Sequence, residues 1–155
     1  MRSLNVLKKS FHLLVVIATI FASGSCSSVS SGSSPDGEPW KPEQLMNPAE
    51  LAARLKSGNR LPVIFNIGPS GLISQAIDIG PGEVDANIDT MKKELAKLPK
   101  DREVVVYCGC CPFKNCPNIR PAFNALNEAG MKNAFLLNLS ENLRVDWISK
   151  GYPMD

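Results

Sequence analysis

Short apolar runs alternate with amphipathic stretches along most of the chain, and the two patterns predict different elements. Apolar runs rich in β-branched residues and bounded by glycine and proline predict strands at 62–67, 76–79, 103–107 and 134–139. Apolar residues at helical spacing predict helices at 84–98, 119–129 and 140–149, after a first helix that ends at Gly58. The alternation predicts an α/β domain with a mostly parallel central sheet flanked by helices.

The first of these helices has a start signal at residues 47–50. Asn47 can cap a helix, Pro48 suits the first helical position, and Glu50 can reach back to the cap. Leu51 and Leu55 follow on one face, which we expect to pack against the sheet.

The N-terminal stretch has the pattern of a secretory signal peptide. Arg2, Lys8 and Lys9 give it a basic start, and the apolar run at 11–22 is shorter than the ~20 residues needed to cross a bilayer. We therefore predict an exported protein with a signal peptide at residues 1–25. An uncleaved membrane anchor is the alternative.

The predicted cleavage site, Ser23-Gly24-Ser25-Cys26, resembles the lipobox of bacterial lipoproteins, in which the cysteine becomes the lipidated N-terminus. The residues after it are rich in serine, glycine and proline and predict a flexible tether at 26–40, followed by the domain at 41–155. On this interpretation the protein lies in the periplasm or cell envelope, and only its N-terminal lipid or signal segment touches the membrane. The alternative is cleavage near Gly24, with Cys26 left unmodified.

Charge and histidine content exclude several functions. The chain has 17 basic and 15 acidic residues, and three of the basic ones precede Cys26, so 14 against 15 remain and the net charge is about −1. This balance argues against a nucleic-acid partner. His12, the only histidine, lies in the predicted signal peptide, so the mature protein has neither a histidine-dependent nucleophile nor an imidazole metal ligand.

The most distinctive segment follows the strongest predicted strand. It reads Cys108-Gly-Cys-Cys-Pro-Phe-Lys-Asn-Cys-Pro-Asn-Ile-Arg120, with four thiols on one turn between a strand and a helix. Ligands of parallel sheets bind beyond the carboxyl ends of the strands, which is where this loop begins. A turn that leads into a helix N-terminus lowers the pKa of a thiol. The loop therefore suits a cysteine persulfide, a chemistry that needs no histidine.

Two other uses of the thiols stay open. The spacing Cys-x-Cys-Cys-x4-Cys brings together thiolates, which select copper(I), zinc or iron–sulfur clusters. In an oxidising compartment, Cys110 or Cys111 could instead form a disulfide with Cys116 and staple the loop. A sulfur carrier requires no cofactor. The alternative is a non-catalytic module that binds a thiophilic metal or a partner through Cys108, Cys110, Cys111 and Cys116.

The order of several segments resembles the rhodanese-like domain family. Val104-Val-Val-Tyr-Cys108 is similar to the strand and nucleophile of that family. Arg120-Pro-Ala-Phe-Asn-Ala-Leu and Glu128-Ala-Gly130 are similar to the helix after its active loop, and Trp147 with Gly151-Tyr152-Pro153 to its C-terminal end. The resemblance covers about residues 42–153.

The resemblance implies a rhodanese-like sulfurtransferase or sulfane-sulfur carrier. Cys108 is then the persulfide-forming nucleophile, and Arg120 closes an anion-binding cradle. The implied partner is a small sulfur-containing anion or a thiol acceptor, bound by the loop residues Gly109, Cys110, Cys111 and Lys114.

The chain departs from the family's pattern at two places. Asn66 and Gly68 stand where the family has an Asp and an Arg, and residues 71–76 replace its Gly-His-Ile-Pro-Gly-Ala segment. The family's arginine follows the cysteine more closely, whereas eleven residues separate Cys108 from Arg120. We therefore expect a longer active loop that is built differently.

Overall fold

A fully parallel five-stranded sheet forms the centre of the structure, a computed structural model that describes residues 37–155. The strands lie in the order β1-β5-β4-β2-β3. Their bounds are Leu45–Met46 for β1, Val63–Asn66 for β2, Ala76–Asp78 for β3, Glu103–Tyr107 for β4 and Asn133–Leu137 for β5. The predicted α/β fold with a parallel sheet is confirmed.

Strand β4 is the central strand and is buried on both faces. Val104 and Val106 pack in one hydrophobic cluster with helices α2 (Asp85–Ala96) and α3 (Ile119–Glu128). Val105 and Tyr107 point to the other face and pack with helix α1 (Pro48–Ser57) and helix α4 (Leu143–Asp146). Burial on both faces explains why this segment is a continuous apolar run rather than an alternating one.

The first three helices agree closely with their predicted bounds. Asn47 caps α1 as predicted, because its Oδ1 accepts a hydrogen bond of 2.8 Å from the Ala49 N–H, and Gly58 ends the helix with a φ of 69°. Glu50 instead lies 3.7 Å from Arg54, one turn further on. Arg54 also makes a bidentate ion pair with Glu103, at 2.7 and 2.6 Å, which joins α1 to the start of β4.

The helix predicted at 140–149 is wrong in extent. Helix α4 begins after Asn142, whose Oδ1 accepts from the Val145 N–H at 3.0 Å, and not after Ser140. The Asp146 carboxylate accepts from the Glu141 N–H, which holds the preceding residues outside the helix. A separate 3-10 turn, Ile148–Lys150, follows because Trp147 has non-helical dihedrals.

The segment before the predicted domain boundary already packs on the domain. Trp40 is 4% exposed and lies edge-on against Phe113 and Phe123, with ring centroids 6.0 and 5.8 Å apart. The Pro39 carbonyl accepts a hydrogen bond from Asn127. The packed domain therefore begins by Glu38 rather than at residue 41, and the last residues of the predicted tether belong to it.

Strand β1 was not predicted from the sequence. It has two residues, which is too few for an alternating pattern, and it pairs with the end of β5. The signal peptide, Cys26 and most of the tether lie outside the described residues, so those assignments stay predictions. None of the helices within residues 37–155 is long and apolar enough to cross a membrane.

Tyr107 connects the end of β4 to the loop that follows β2. Its hydroxyl accepts a hydrogen bond of 2.9 Å from the Ile73 N–H and donates one of 3.1 Å to the Gly71 carbonyl. Burial raises the pKa of Tyr107 from 10.0 to about 12. The folded state therefore favours the neutral phenol.

We predict that this phenol contributes pH-dependent stability. Below pH 10 it is protonated in both states, but between pH 10 and about 12 the unfolded state ionises first, so the free energy of unfolding falls. Tyr107→Phe should not show this fall in the free energy of unfolding above pH 10. At neutral pH its free energy of unfolding should be lower by roughly 1–3 kcal/mol, because the buried Ile73 N–H loses its acceptor. Urea unfolding of both proteins from pH 8 to pH 11 measures the difference. If the free energy of unfolding changes equally with pH in the two proteins, Tyr107 is not the source of the pH dependence.

Candidate active site

The cysteine loop begins where β4 ends, at the carboxyl edge of the sheet. Gly109 turns the chain there with a φ of 77°, which a glycine adopts without strain. A side chain would not fit at this position, because a Cβ would lie 2.7 Å from Leu143 Cβ and 2.8 Å from Ser70 Oγ. The Gly109 carbonyl accepts from the Leu143 N–H at 2.9 Å, so α4 supports the turn. The loop lies where the sequence predicted it.

The loop brings its cysteines together as free thiols. Cys108 Sγ lies 3.1 Å from Cys110 Sγ, which is in turn 3.4 Å from Cys111 Sγ and 3.9 Å from Cys116 Sγ. The sulfurs of Cys108, Cys110 and Cys116 all lie within 4.8 Å of one another, and we call these residues the thiol trio. Cys108 and Cys116 are buried, whereas Cys110 is exposed. The stapling disulfide considered from the sequence is not formed among these residues.

Asn118 is a site residue that sequence reasoning missed. It is 3% exposed, and its Nδ2 donates a hydrogen bond of 3.3 Å to Cys108 Sγ. Its Oδ1 accepts from the Glu83 N–H at 3.0 Å, which fixes the orientation of the amide. An Asn just before a helix normally indicates a cap, but here the side chain makes no cap hydrogen bond. Its true partners come from distant parts of the chain.

The contacts around Asn66 and Gly68 show what replaces the family's Asp and Arg after β2. Asn66 is buried, donates to Asp78 Oδ1 at 3.1 Å and to the Ser70 carbonyl at 3.3 Å, and accepts from the Gly68 N–H. A Cβ on Gly68 would lie 2.3 Å from Cys108 Sγ and 2.9 Å from the Cys108 carbonyl oxygen. Ser70 Oγ also donates to that carbonyl. The position therefore has no room for an arginine.

Arg120 does not contact Cys108. Its guanidinium pairs with Glu38 at 2.5 Å, donates to the Lys114 carbonyl at 2.8 Å and lies 5.6 Å from the centre of the Trp40 ring. The predicted cradle, in which Arg120 closes over the nucleophile, is therefore not formed. The Lys114 side chain is exposed on the loop, and its predicted role in binding an anion stays a prediction.

The thiols of the loop have pKa values shifted in opposite directions. Hydrogen bonding from Cys108, together with the Asn118 N–H, lowers the pKa of Cys116 to about 5. The pKa of Cys108 is raised by its hydrogen bond to Cys116 and by burial, and burial raises that of Cys111 to about 12. The sequence predicted a lowered thiol pKa in this loop without assigning it to one cysteine. It falls on Cys116, whose sulfur is stabilised by the neighbouring thiols and by the Asn118 N–H.

Comparison with known proteins supports the fold. No protein-family model matches the chain, and no curated protein matches it. The solution structure of the rhodanese-like domain of an Anabaena protein is similar, with a TM-score of 0.53 over 72% of this chain and 78% of that one. The domain has a rhodanese-like fold. The two sequences are 21% identical, so the similarity shows the fold alone.

We predict that the close approach of Gly68 to Cys108 tolerates no side chain. Gly68→Ala should lose roughly 1–3 kcal/mol of stability, because its Cβ would overlap Cys108 Sγ and the backbone behind it. Gly71→Ala is the matched control, since its Cβ would meet the movable end of Met154 at 3.0 Å and make an ordinary contact with Leu143 at 3.6 Å. Urea unfolding of both variants tests this.

A double variant checks the cause of the loss. Cys108→Ala removes the sulfur, so combining it with Gly68→Ala should recover part of the lost stability but not the part due to the backbone contact. If Gly68→Ala is as stable as Gly71→Ala, the close approach of Gly68 to Cys108 does not exclude a side chain at residue 68.

Proposed function

We propose that this domain is a rhodanese-like sulfurtransferase or sulfane-sulfur carrier that forms a persulfide on Cys108. The observation that carries the proposal is the position of this thiol directly after the central strand, at the carboxyl edge of a rhodanese-like sheet. Two further thiols surround it, and the Asn118 amide donates a hydrogen bond to its sulfur. A donor at this place stabilises the thiolate that attacks.

The attack needs no histidine. Cys108 loses its proton to the neighbouring thiol groups of the trio, and the Asn118 N–H stabilises the thiolate that forms. The Cys108 thiolate then attacks the sulfane sulfur of a donor. The sulfur–sulfur bond of the donor breaks, and the rest of the donor leaves with the electron pair of that bond. The product is the Cys108 persulfide.

The charges around the site favour an organic sulfane donor over a small dianion. Within residues 37–155, Cys108 Sγ has hydrogen-bond contacts with Cys110 and Asn118 and with no cationic side chain. Arg120 is neutralised by Glu38 instead. A dianion such as thiosulfate would lack the charge-assisted hydrogen bonds that bind such groups tightly. As the sulfur donor, an organic persulfide therefore fits better than the small sulfur-containing anion predicted from the sequence, and the predicted thiol acceptor stays a prediction.

We predict that the chain takes sulfur from a low-molecular-weight persulfide through Cys108. The reduced full-length protein should convert one equivalent of glutathione persulfide per chain to glutathione, and thiosulfate should react at least about tenfold more slowly because no cation faces the sulfur. Cys108→Ser should abolish both reactions. The measurement is the amount of glutathione or sulfite formed in a single turnover. Full reaction in Cys108→Ser would show that another group carries the chemistry.

The thiol trio also favours a second candidate function, the binding of a thiophilic metal. Three thiolates around one ion at about 2.3 Å would place their sulfurs about 4 Å apart. The sulfurs of Cys110 and Cys116 are 3.9 Å apart, and all three lie within 4.8 Å of one another. Thiolates select copper(I) and zinc, and a site with three sulfur ligands suits copper(I) best.

A metal titration tests this second candidate. We predict that one copper(I) binds per reduced chain. Loss of a residue that only supports a metal ligand weakens metal affinity roughly 10–100-fold. Cys116→Ser removes a ligand itself, so it should weaken the copper(I) affinity by more than this. Cys111→Ser is the matched control, because Cys111 lies next to the trio and is not part of it. Competition with a chromogenic copper(I) chelator gives both affinities. Equal weakening in the two variants would exclude a trio site.

A further inference from the structure

The thiol predicted to carry the persulfide has another thiol of the same loop directly beside it. Cys108 is 2% exposed and is enclosed by Gly68, Asn118 and the other thiols. Cys110 is exposed to solvent, yet its sulfur lies 3.1 Å from that of Cys108. The turn at Gly109 produces this arrangement, because its positive φ folds the two cysteine side chains toward each other.

We propose that Cys110 is the resolving thiol of this site and that the domain releases the sulfane sulfur as hydrosulfide. The inference rests on the proposed persulfide at Cys108 and names its acceptor. That acceptor is the neighbouring cysteine of the same chain.

The step balances without any further oxidant. The Cys110 thiolate attacks the Cys108 sulfur that carries the sulfane sulfur, and a Cys108–Cys110 disulfide forms. The bond to the sulfane sulfur breaks, and that atom leaves as hydrosulfide with the electron pair. The two cysteine sulfurs are oxidised and the sulfane sulfur is reduced by the same two electrons. An external dithiol then attacks the exposed Cys110 sulfur and returns both cysteines to thiols.

The geometry distinguishes Cys110 from the other thiols. Disulfides need Cα atoms about 4.4–6.8 Å apart, and residues two apart reach at most about 7 Å when fully extended, so a turn at Gly109 brings the pair into range. Cys111 Sγ contacts Cys110 and is not part of the trio. Cys116 is fully buried, so a disulfide between it and Cys108 would present no sulfur to an external dithiol.

A single-turnover experiment without added thiol tests the proposal. The reduced full-length chain is loaded with one equivalent of glutathione persulfide, the small molecules are removed by rapid desalting, and hydrosulfide release and intact mass are followed. Wild type should release about one hydrosulfide per chain. Its final mass should be two hydrogens below that of the reduced protein. Cys110→Ser should keep the added sulfur atom and release less than about a tenth as much hydrosulfide in the same time.

Two comparisons separate the possible failures. Asn115→Ser, a serine substitution at an exposed residue of the same loop, should release hydrosulfide as wild type does. Release that is lost in Cys111→Ser rather than in Cys110→Ser would overturn the assignment. If Cys110→Ser gains sulfur but releases hydrosulfide at the wild-type rate, the resolving role is wrong and the proposed persulfide stands. If neither wild type nor Cys110→Ser gains sulfur, the proposed function fails, and the resolving role fails with it.

Discussion

Two backbone segments meet at the carboxyl edge of the sheet, and their separation controls what the site can contain. Gly68 lies so near Cys108 that one added carbon would overlap its sulfur. Because β2 and β4 are hydrogen-bonded neighbours in the sheet, with Asn66 paired to Tyr107, this approach is set by strand register and not by movable side chains. The position where the rhodanese family has a cation therefore has no side chain, and thiols and an amide surround the sulfur.

The absence of a cation at this position changes the electrostatics around the Cys108 sulfur. A guanidinium would bind an anion through charge-assisted hydrogen bonds, whereas the Asn118 amide offers a neutral dipole. No cationic side chain within residues 37–155 hydrogen-bonds the Cys108 sulfur, and the sulfur of Cys116, whose pKa is lowered, lies within 4.8 Å of it. Of the two cations in the longer loop, Arg120 pairs with Glu38 at the entry to the domain and Lys114 is exposed. The proposed exchange between sulfur atoms fits these surroundings better than the binding of a small anion does.

The features that could be predicted from the sequence are those set by local patterns. The buried run of β4, the capped start of α1 and the position of the cysteine loop all follow from residues close together in the chain. The features that were missed depend on partners far away in the chain. Asn118 is held by Glu83, and Arg120 pairs with Glu38, a residue placed in the predicted tether. Which cysteine of the loop has the lowered pKa was not predicted either, since it depends on how the thiols contact one another.

The burial of Trp40 has a consequence for the long loop. Phe113, in the middle of that loop, is 6% exposed and packs against Trp40, while Trp40 packs in turn against Phe123 of α3. The residues that lengthen the loop beyond the family's pattern thus have an apolar anchor, partly supplied by the segment that enters the domain. The longer loop thus extends the hydrophobic core, because Phe113 and Cys116 lie in the same buried cluster as Trp40 and Phe123.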